Sequence, residues 1–248
     1  SDPGDYLTAT EIANGVAGAP NFWAGCEASD SSWHGTQVSG IVAASTHNGR
    51  GMAGTGRHVS VLPVRALGKC FGYTSDIVNA MRWAAGLSVP GVPVNPTPAK
   101  VLNLSLGSFG SCSPDEADAV AAVNAVGAVV VAAAGNTAGR ASGSPANCPG
   151  AIGVAGLRHA GSKVGFSDVG PELSIAAPGG NCVNLSGSCL YPILTTTNAG
   201  TQGPGTNTYS DASNASVGTS FSAPLVSGVA ALMLSARPNL TAAQLRSL

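Results

Sequence analysis

The run from Ala128 to Ala134 reads A-V-V-V-A-A-A and contains no polar side chain. A strand with one face in water alternates apolar and polar residues, so a continuous apolar run predicts a strand buried on both faces. Such strands belong to parallel sheets that carry helices on both sides. This run therefore predicts a three-layer α/β/α fold with a mostly parallel sheet.

The rest of the chain alternates short apolar runs with helical patterns of small or amphipathic residues, as this fold requires. With 248 residues and no linker, residues 1–248 are expected to form one domain. We predict helices at His34–Thr46, Ser75–Gly86, Pro114–Val126 and Thr219–Ala236, strands at Val59–Ala66, Lys100–Ser105, Ala128–Ala134, Ala151–Ala155 and Leu173–Ala176, and loops at 89–98, 138–149 and 178–215.

The composition indicates which partners and which cellular location to expect. Charged residues make up 9% of the chain, against about 25% in ordinary soluble domains. The net charge is -1 and basic residues do not cluster, so neither nucleic acid nor an anionic membrane is an expected partner. No apolar run of membrane-spanning length is expected, and the sequence shows no signal peptide, which we expect to lie outside it. A secreted, extracellular protein fits this composition.

Cysteine usage supports the same location. The six cysteines form an even set without a C-x-x-C pair, which disfavours zinc and favours disulfides formed in an oxidising compartment. Spacing alone leaves their connectivity open. They are Cys26, Cys70, Cys112, Cys148, Cys182 and Cys189.

Two segments carry the residue types of nucleophilic catalysis. His34 opens a predicted helix in the string H-G-T-Q-V-S-G, and Ser220 opens another in G-T-S-F-S-A-P. A serine at a helix N-terminus lies beside unpaired backbone N–H groups that stabilise an oxyanion, and a nearby histidine serves as its general base. Each residue alone is more often a helix cap or a core hydrogen bonder. Together they predict a serine hydrolase.

The order of the two motifs, with histidine before serine and with these flanking residues, resembles the subtilisin-like serine proteases, in particular their secreted bacterial branch. The resemblance covers nearly the whole chain and implies a secreted serine endopeptidase that acts on proteins and peptides. The family usually has a second histidine where this chain has Gln37, at a position that is not the base.

The resemblance also assigns further site residues. Asn136 follows the apolar strand in A-A-A-G-N and matches the family's oxyanion donor, although an asparagine after glycine also suits a turn. The resemblance also implies a segment with which the substrate pairs as an added strand, and residues that form the walls of the primary pocket. These substrate-binding residues are Ser105, Leu106, Gly107, Ala133, Ala134, Gly135 and Thr219.

The aspartate of the family's triad has no match here. No apolar strand followed by Asp-Ser/Thr-Gly stands before His34, and Asp2, Asp5 and Asp30 lack that context. The chain thus resembles a protease domain without its first, Asp-bearing strand, with the edges beside that strand exposed. It is expected to be a truncated fragment with impaired activity, and a catalytically inactive domain that binds peptides by strand addition is the alternative.

Other expectations also rest on the resemblance. It implies the disulfides Cys26–Cys70, Cys112–Cys148 and Cys182–Cys189, and a zymogen whose propeptide is a partner. Asp2 and Asp5 flank a turn and could ligate a structural Ca²⁺, although a solvated turn explains them equally well. No cofactor is expected for catalysis, and the protein is expected to be a monomer.

One other enzyme class is disfavoured by the sequence. A lipase or esterase of the α/β-hydrolase type needs a histidine after the nucleophile and a Gly-x-Ser-x-Gly elbow. No histidine follows His159, and Ser222 stands where the second glycine should be. His47, His58 and His159 have no metal-like spacing, and Asp76 is expected to cap a helix.

Overall fold

The structure, a computed structural model, describes residues 4–181, 190–210 and 217–248. Its centre is a four-stranded parallel sheet in the order β1-β2-β3-β4, and a two-stranded antiparallel hairpin, β5-β6, lies beside it. The elements are α1 (Ala9–Asn14), α2 (His34–Ala43), α3 (Thr74–Ala84), β1 (Val101–Leu104), α4 (Pro114–Ala125), β2 (Val129–Ala133), β3 (Ile152–Leu157), β4 (Leu173–Pro178), β5 (Thr195–Asn198), β6 (Asn207–Ser210), α5 (Thr219–Ala236) and α6 (Ala242–Ser247).

Strand β2 lies between β1 and β3 and is buried along its whole length. Its side chains alternate between two separate cores, as a pleated strand requires. Val130 and Ala132 pack with α3 and α4, whereas Val129 and Val131 pack with α5 and α6. Helices therefore cover both faces of the sheet, and the predicted three-layer α/β/α fold is confirmed.

The predicted strand Val59–Ala66 is wrong. The segment has no regular secondary structure, and Val61 and Val64 are 43% and 38% exposed. A strand needs a neighbour for its backbone hydrogen bonds, and this segment pairs with none of the described strands. Strand β1 is the edge strand of the sheet, with β2 on one side only, which agrees with the exposed edge that the sequence predicts.

The predicted loop 178–215 is wrong in part, because it contains β5 and β6, which pair from Thr195 opposite Ser210 to Asn198 opposite Asn207. These strands are rich in threonine and asparagine and lack the apolar alternation that marks a strand. Helices α1 and α6 were also not predicted. Each begins with a capping box, Thr8 with Glu11 and Thr241 with Gln244, which is a signal present in the sequence.

Helix α5 has the length and mean hydropathy, 1.4, of a membrane-spanning helix, so the expectation that no run of this kind exists was wrong. It packs against α2 and against all four strands of the parallel sheet. Its apolar character is explained by this position, because nine of its residues are buried. We interpret α5 as the central core helix.

Two disulfides join distant segments, Cys26 to Cys70 and Cys112 to Cys148. These are two of the pairs that the resemblance implies. The third expected pair, Cys182 with Cys189, lies outside the described residues.

Replacing Ser113 by alanine should lower the free energy of unfolding by about 1 kcal/mol, because Ser113 is the N-cap of α4 and forms a capping box with Glu116. Burial acts to raise the pKa of Glu116, but hydrogen bonds from Ser144 and Ser113 outweigh it and lower the pKa below its ordinary value. Thermal unfolding at neutral pH should show a midpoint lower by roughly 2–4 °C. The same substitution at the exposed N-cap of α6, Thr241→Ala, is the matched comparison, and an unchanged midpoint in Ser113→Ala would contradict the prediction.

Candidate active site

Ser220 lies in the first turn of α5 and is half-buried. Gly218, the N-cap, has a φ of 143° that disfavours other residues, and a Cβ there would lie 3.3 Å from Asn136 Nδ2. The N–H of Gly218 donates to the Gly179 carbonyl at 2.7 Å, which fixes the entry of the chain into the helix. The local sequence thus places a serine hydroxyl at the positive end of the core helix.

His34 is the first residue of α2 and is half-buried. Its ring meets the ring of Phe221, the residue after Ser220, edge to face with centroids 6.1 Å apart. Burial lowers the pKa of His34 below its ordinary value, and the charge of Asp5 opposes this shift without cancelling it. The structure therefore places His34 against the residue next to Ser220, with both predicted catalytic residues in the first turns of two packed helices.

The Ser220 hydroxyl does not bond to His34 in this structure. It donates to the Ser105 carbonyl at 3.3 Å, and within the described ranges no hydrogen bond joins it to the imidazole. Proton transfer to His34 requires the hydroxyl to leave this carbonyl.

The turn before His34 is held from two sides. Trp33 has a φ of 53°, which is unfavourable for a bulky residue, and its indole N–H donates to the Gly200 carbonyl at the tip of the hairpin at 2.6 Å. On the other side, both oxygens of Asp5 accept hydrogen bonds from Ser32, whose hydroxyl in turn accepts from the His34 N–H at 3.2 Å. No local sequence pattern indicates these supports, because they join segments far apart in the chain.

Asn136 has a fixed orientation. Its Oδ1 accepts from both the backbone N–H and the hydroxyl of Thr219, at 2.9 Å and 3.0 Å, and the Thr219 hydroxyl accepts from the Gly135 N–H at 3.1 Å. Since a backbone N–H can only donate, the atom facing Thr219 is the oxygen, and the amide nitrogen points away from it. Among the described residues Nδ2 has no acceptor, so its protons are available beside the N-terminus of α5.

The turn after Asn136 depends on Asp168, a buried residue that the sequence analysis missed. Its carboxylate accepts from the backbone N–H groups of Thr137 and Arg140 and from the Thr137 hydroxyl. Gly135, with a φ of 110°, could not carry a Cβ, which would lie 2.4 Å from Asp168 Oδ2. The string F-S-D after a glycine-rich strand gave no signal that would distinguish this aspartate from a solvated one.

The predicted substrate-binding residues lie around this site. Ser105, Leu106 and Gly107 follow β1, whereas Ala133 ends β2, the neighbouring parallel strand, and Ala134 and Gly135 follow it. The segment after β1 contacts a third segment, since the Ser108 N–H donates to the Ser144 carbonyl at 2.8 Å. The side chains of Ala133 and Ala134 are buried, so any contact with a substrate would come from their backbone.

The aspartates expected near the N-terminus have different placements. Asp5 is engaged with Ser32, and Asp2 lies outside the described residues. Asp30 is exposed, as expected for a solvated residue. No carboxylate among the described residues bonds to the His34 ring, and Asp5 acts on it only through its charge.

Comparison with known proteins identifies the family to which this three-layer α/β/α fold belongs. The model of the subtilase family of peptidases, Peptidase_S8, matches residues 24–248, and the chain belongs to this family. It is 43% identical to an extracellular protease of Xanthomonas campestris pv. campestris over 96% of the chain, and 42% identical to an extracellular basic protease of Dichelobacter nodosus over 83%.

The chain spans about a third of the length of these curated relatives, 37% and 32% respectively. Among solved structures it is similar to a protease from Pseudoalteromonas arctica PAMC 21717, with a TM-score of 0.87 and 42% identity over 99% of this chain and 68% of that one. Both curated relatives are named extracellular proteases, and the disulfides and the low charge fit that location. The predicted extracellular location is therefore confirmed.

Proposed function

We propose that this chain carries the catalytic site of a serine endopeptidase. The observation that supports this most directly is the contact of the His34 ring with Phe221, the residue after Ser220, at two helix N-termini and near an asparagine amide whose protons are free. A nucleophile, a base and an oxyanion donor are the three groups that acyl transfer requires.

In the proposed reaction, Ser220 Oγ attacks the carbonyl carbon of a peptide bond and passes its proton to His34. The oxyanion that forms accepts hydrogen bonds from Asn136 Nδ2 and from backbone N–H groups at the start of α5. His34 then returns the proton to the leaving amine, and water hydrolyses the acyl-enzyme by the reverse sequence. Peptide substrates would pair with the backbone of residues 105–107 as an added strand.

The third member of the triad would be an aspartate on a further strand along the free edge of β1. The apolar side chains of Val61 and Val64 are exposed, and we propose that their segment would pair with the same strand. In subtilisin, a member of the same family, loss of the aspartate alone lowers kcat by about 3 × 10⁴. The reactivity of this chain is therefore expected to be low compared with that of a chain containing the strand.

A structural calcium ion and a propeptide remain further proposals from the resemblance. Among the described residues Asp5 is the single carboxylate of the expected calcium pair, and both of its oxygens already accept hydrogen bonds from Ser32. A thermal midpoint of the longer protein that does not change with a chelator would argue against the ion.

One observation favours the alternative of an inactive peptide-binding domain, because the Ser220 hydroxyl is bonded to the Ser105 carbonyl and not to His34. Covalent labelling with a fluorophosphonate serine probe, located by peptide mass spectrometry, decides between the two. Labelling at Ser220 supports the protease. If neither this chain nor a version extended upstream is labelled, the proposed function is wrong.

The pH dependence of labelling gives a second test. Burial lowers the pKa of His34, so the imidazole stays neutral, and able to accept a proton, at a lower pH than a free histidine does. We expect the labelling rate to fall to half its maximum below pH 6.5. Asp5→Asn should move this midpoint further to the acid side, because the charge of Asp5 raises the pKa. A midpoint at or above 6.5 in this chain would contradict the prediction.

The lowered pKa of His34 also predicts how the stability of the protein depends on pH. Below the unfolded pKa the unfolded chain takes up a proton that the folded chain resists, so stability should fall as the pH drops from about 6.5 through the folded pKa. The parent protein should therefore lose stability between pH 8 and pH 5, and His34→Gln should lack this loss. The thermal midpoints of the two proteins should converge or cross on the acid side.

A further inference from the structure

The carbonyl of Ser220 lacks its normal partner within helix α5. In an α-helix each carbonyl accepts from the N–H four residues later, and for Ser220 that residue is Pro224, which has no N–H. Pro224 is fully buried, and Ser220 is half-buried. An unsatisfied carbonyl at this position would be unfavourable, so another donor is expected.

Ser105 supplies this donor. Its hydroxyl donates to the Ser220 carbonyl at 2.7 Å, and the Ser220 hydroxyl donates back to the Ser105 carbonyl at 3.3 Å. The two serines are thus joined by reciprocal bonds between β1's end and the first turn of α5. The hydroxyl of Ser105 takes the place of the N–H that proline removes.

The direction of the Ser105 hydroxyl is set by a second bond. Asn103 Nδ2 donates to Ser105 Oγ at 2.9 Å, so this oxygen acts as acceptor there and its own proton is directed to the Ser220 carbonyl. Ser227, buried two turns further along α5, donates from its hydroxyl to Asn103 Oδ1 at 2.8 Å. A continuous chain of hydrogen bonds therefore runs from the buried middle of α5 through β1 and back to Ser220.

This chain of hydrogen bonds explains why β1 carries a polar residue on the face that packs against α5. Leu102 and Leu104 face the core formed with α3 and α4, so Asn103 faces α5, where the neighbouring Val101 packs. An asparagine on this face needs partners for its amide, and Ser105 and Ser227 provide them on both sides.

We propose that Ser105, oriented by Asn103 and Ser227, is a positioning residue for the nucleophile, which it serves by holding the Ser220 carbonyl that Pro224 leaves unpaired. It rests on the proposed function, because positioning matters only if Ser220 reacts. The backbone of Ser105 also belongs to the proposed substrate strand, so the same link fixes the separation between nucleophile and substrate.

The test uses serine-to-alanine variants read out by two measurements, the second-order rate constant of fluorophosphonate labelling and the thermal midpoint. Ser227→Ala removes the far end of the hydrogen-bond chain without changing Ser220. The matched control is Ser235→Ala, at an exposed position on the same helix. We expect labelling to fall roughly tenfold in Ser105→Ala and severalfold in Ser227→Ala, to stay near the parent rate in Ser105→Thr, and to be unchanged in Ser235→Ala.

Pro224→Ala provides the distinguishing variant. It restores a backbone N–H four residues after Ser220, so in the Ser105→Ala background it should recover part of the lost rate. A purely structural role for Ser105 predicts a lower thermal midpoint with an unchanged labelling rate of the folded protein, and that result would overturn the inference. Equal rates in Ser105→Ala with and without Pro224→Ala would overturn it as well.

Failure of the proposed function has a different signature. If neither this chain nor a version extended upstream is labelled, the endopeptidase proposal fails, and the thermal midpoints then test only the hydrogen-bonded link between Ser105 and Ser220. Ser105→Ala and Pro224→Ala should then be non-additive, with the double variant more stable than the sum of the single changes predicts. Additive midpoints would remove the link between the two residues.

Discussion

Replacing Ser220 by alanine should abolish labelling by the fluorophosphonate probe and any hydrolysis of peptides, with little change in the thermal midpoint. The hydroxyl is the attacking atom in the proposed reaction, so no other group can form the same adduct. The link to Ser105 is partly retained in the variant, because the backbone carbonyl at position 220 still accepts from the Ser105 hydroxyl. Peptide mass spectrometry of probe-treated protein measures the result directly.

Two controls sharpen this prediction. Ser222, the second serine of the motif, is fully buried and its hydroxyl has no hydrogen-bond partner in the described structure, so it should not be labelled in either protein. His34→Ala should lower the labelling rate strongly and add little to Ser220→Ala, because base and nucleophile act as a unit, as the non-additive variants of subtilisin illustrate. Labelling that persists in Ser220→Ala at another serine would contradict the assignment of the nucleophile.

Replacing Asn136 by leucine should lower the rate of the acylation step by about 10² to 10³. That magnitude is the one measured in subtilisin, a member of the same family, on removal of its oxyanion asparagine. The physical reason here is the fixed amide: Thr219 holds the oxygen, so the nitrogen points away from Thr219, and in the proposed reaction it donates to the oxyanion. Because the oxyanion exists only in the transition state and the intermediate, kcat should fall and KM should hardly change.

The control for this variant is a change of the same type at a distance, Asn79→Leu on the exposed face of α3. It should leave the rate unaltered. Thr219→Val gives an intermediate case, because it removes one of the two donors that orient Asn136 and should lower the rate less than Asn136→Leu does. A rise in KM with constant kcat in Asn136→Leu would place this residue in ground-state binding and not in the oxyanion site.

Much of the architecture could be predicted because it is encoded locally. The apolar run that contains β2 predicts burial on both faces, and α5 begins and ends at the predicted residues, Thr219 and Ala236. The residues that form the candidate site were found by the same local logic, since His34 and Ser220 open helices and Asn136 follows a strand. Local patterns work here because short motifs place each group at a fixed end of an element.

The remaining features depend on pairing that no local pattern reports. Val59–Ala66 has the apolar residues of a strand but no described neighbour to pair with, so its sequence favours a structure that its surroundings do not provide. The link from Ser227 to Asn103 joins residues 124 positions apart, and the hairpin tip at Gly200 meets Trp33 across 167 positions. No sequence pattern indicates the role of Asp168, because its partners include backbone N–H groups, which any residue could supply.

Helix α5 has a consequence beyond its place in the core. Because one helix both packs against every strand of the parallel sheet and presents Ser220 at its first turn, the protein cannot form the core on that face of the sheet without also forming the turn that carries the nucleophile. Reactivity of Ser220 should therefore appear during refolding together with core formation and not as a later step. Covalent labelling of this serine can therefore report the time course of folding. A variant such as Leu234→Ala, far from the reacting atoms, should delay the appearance of labelling.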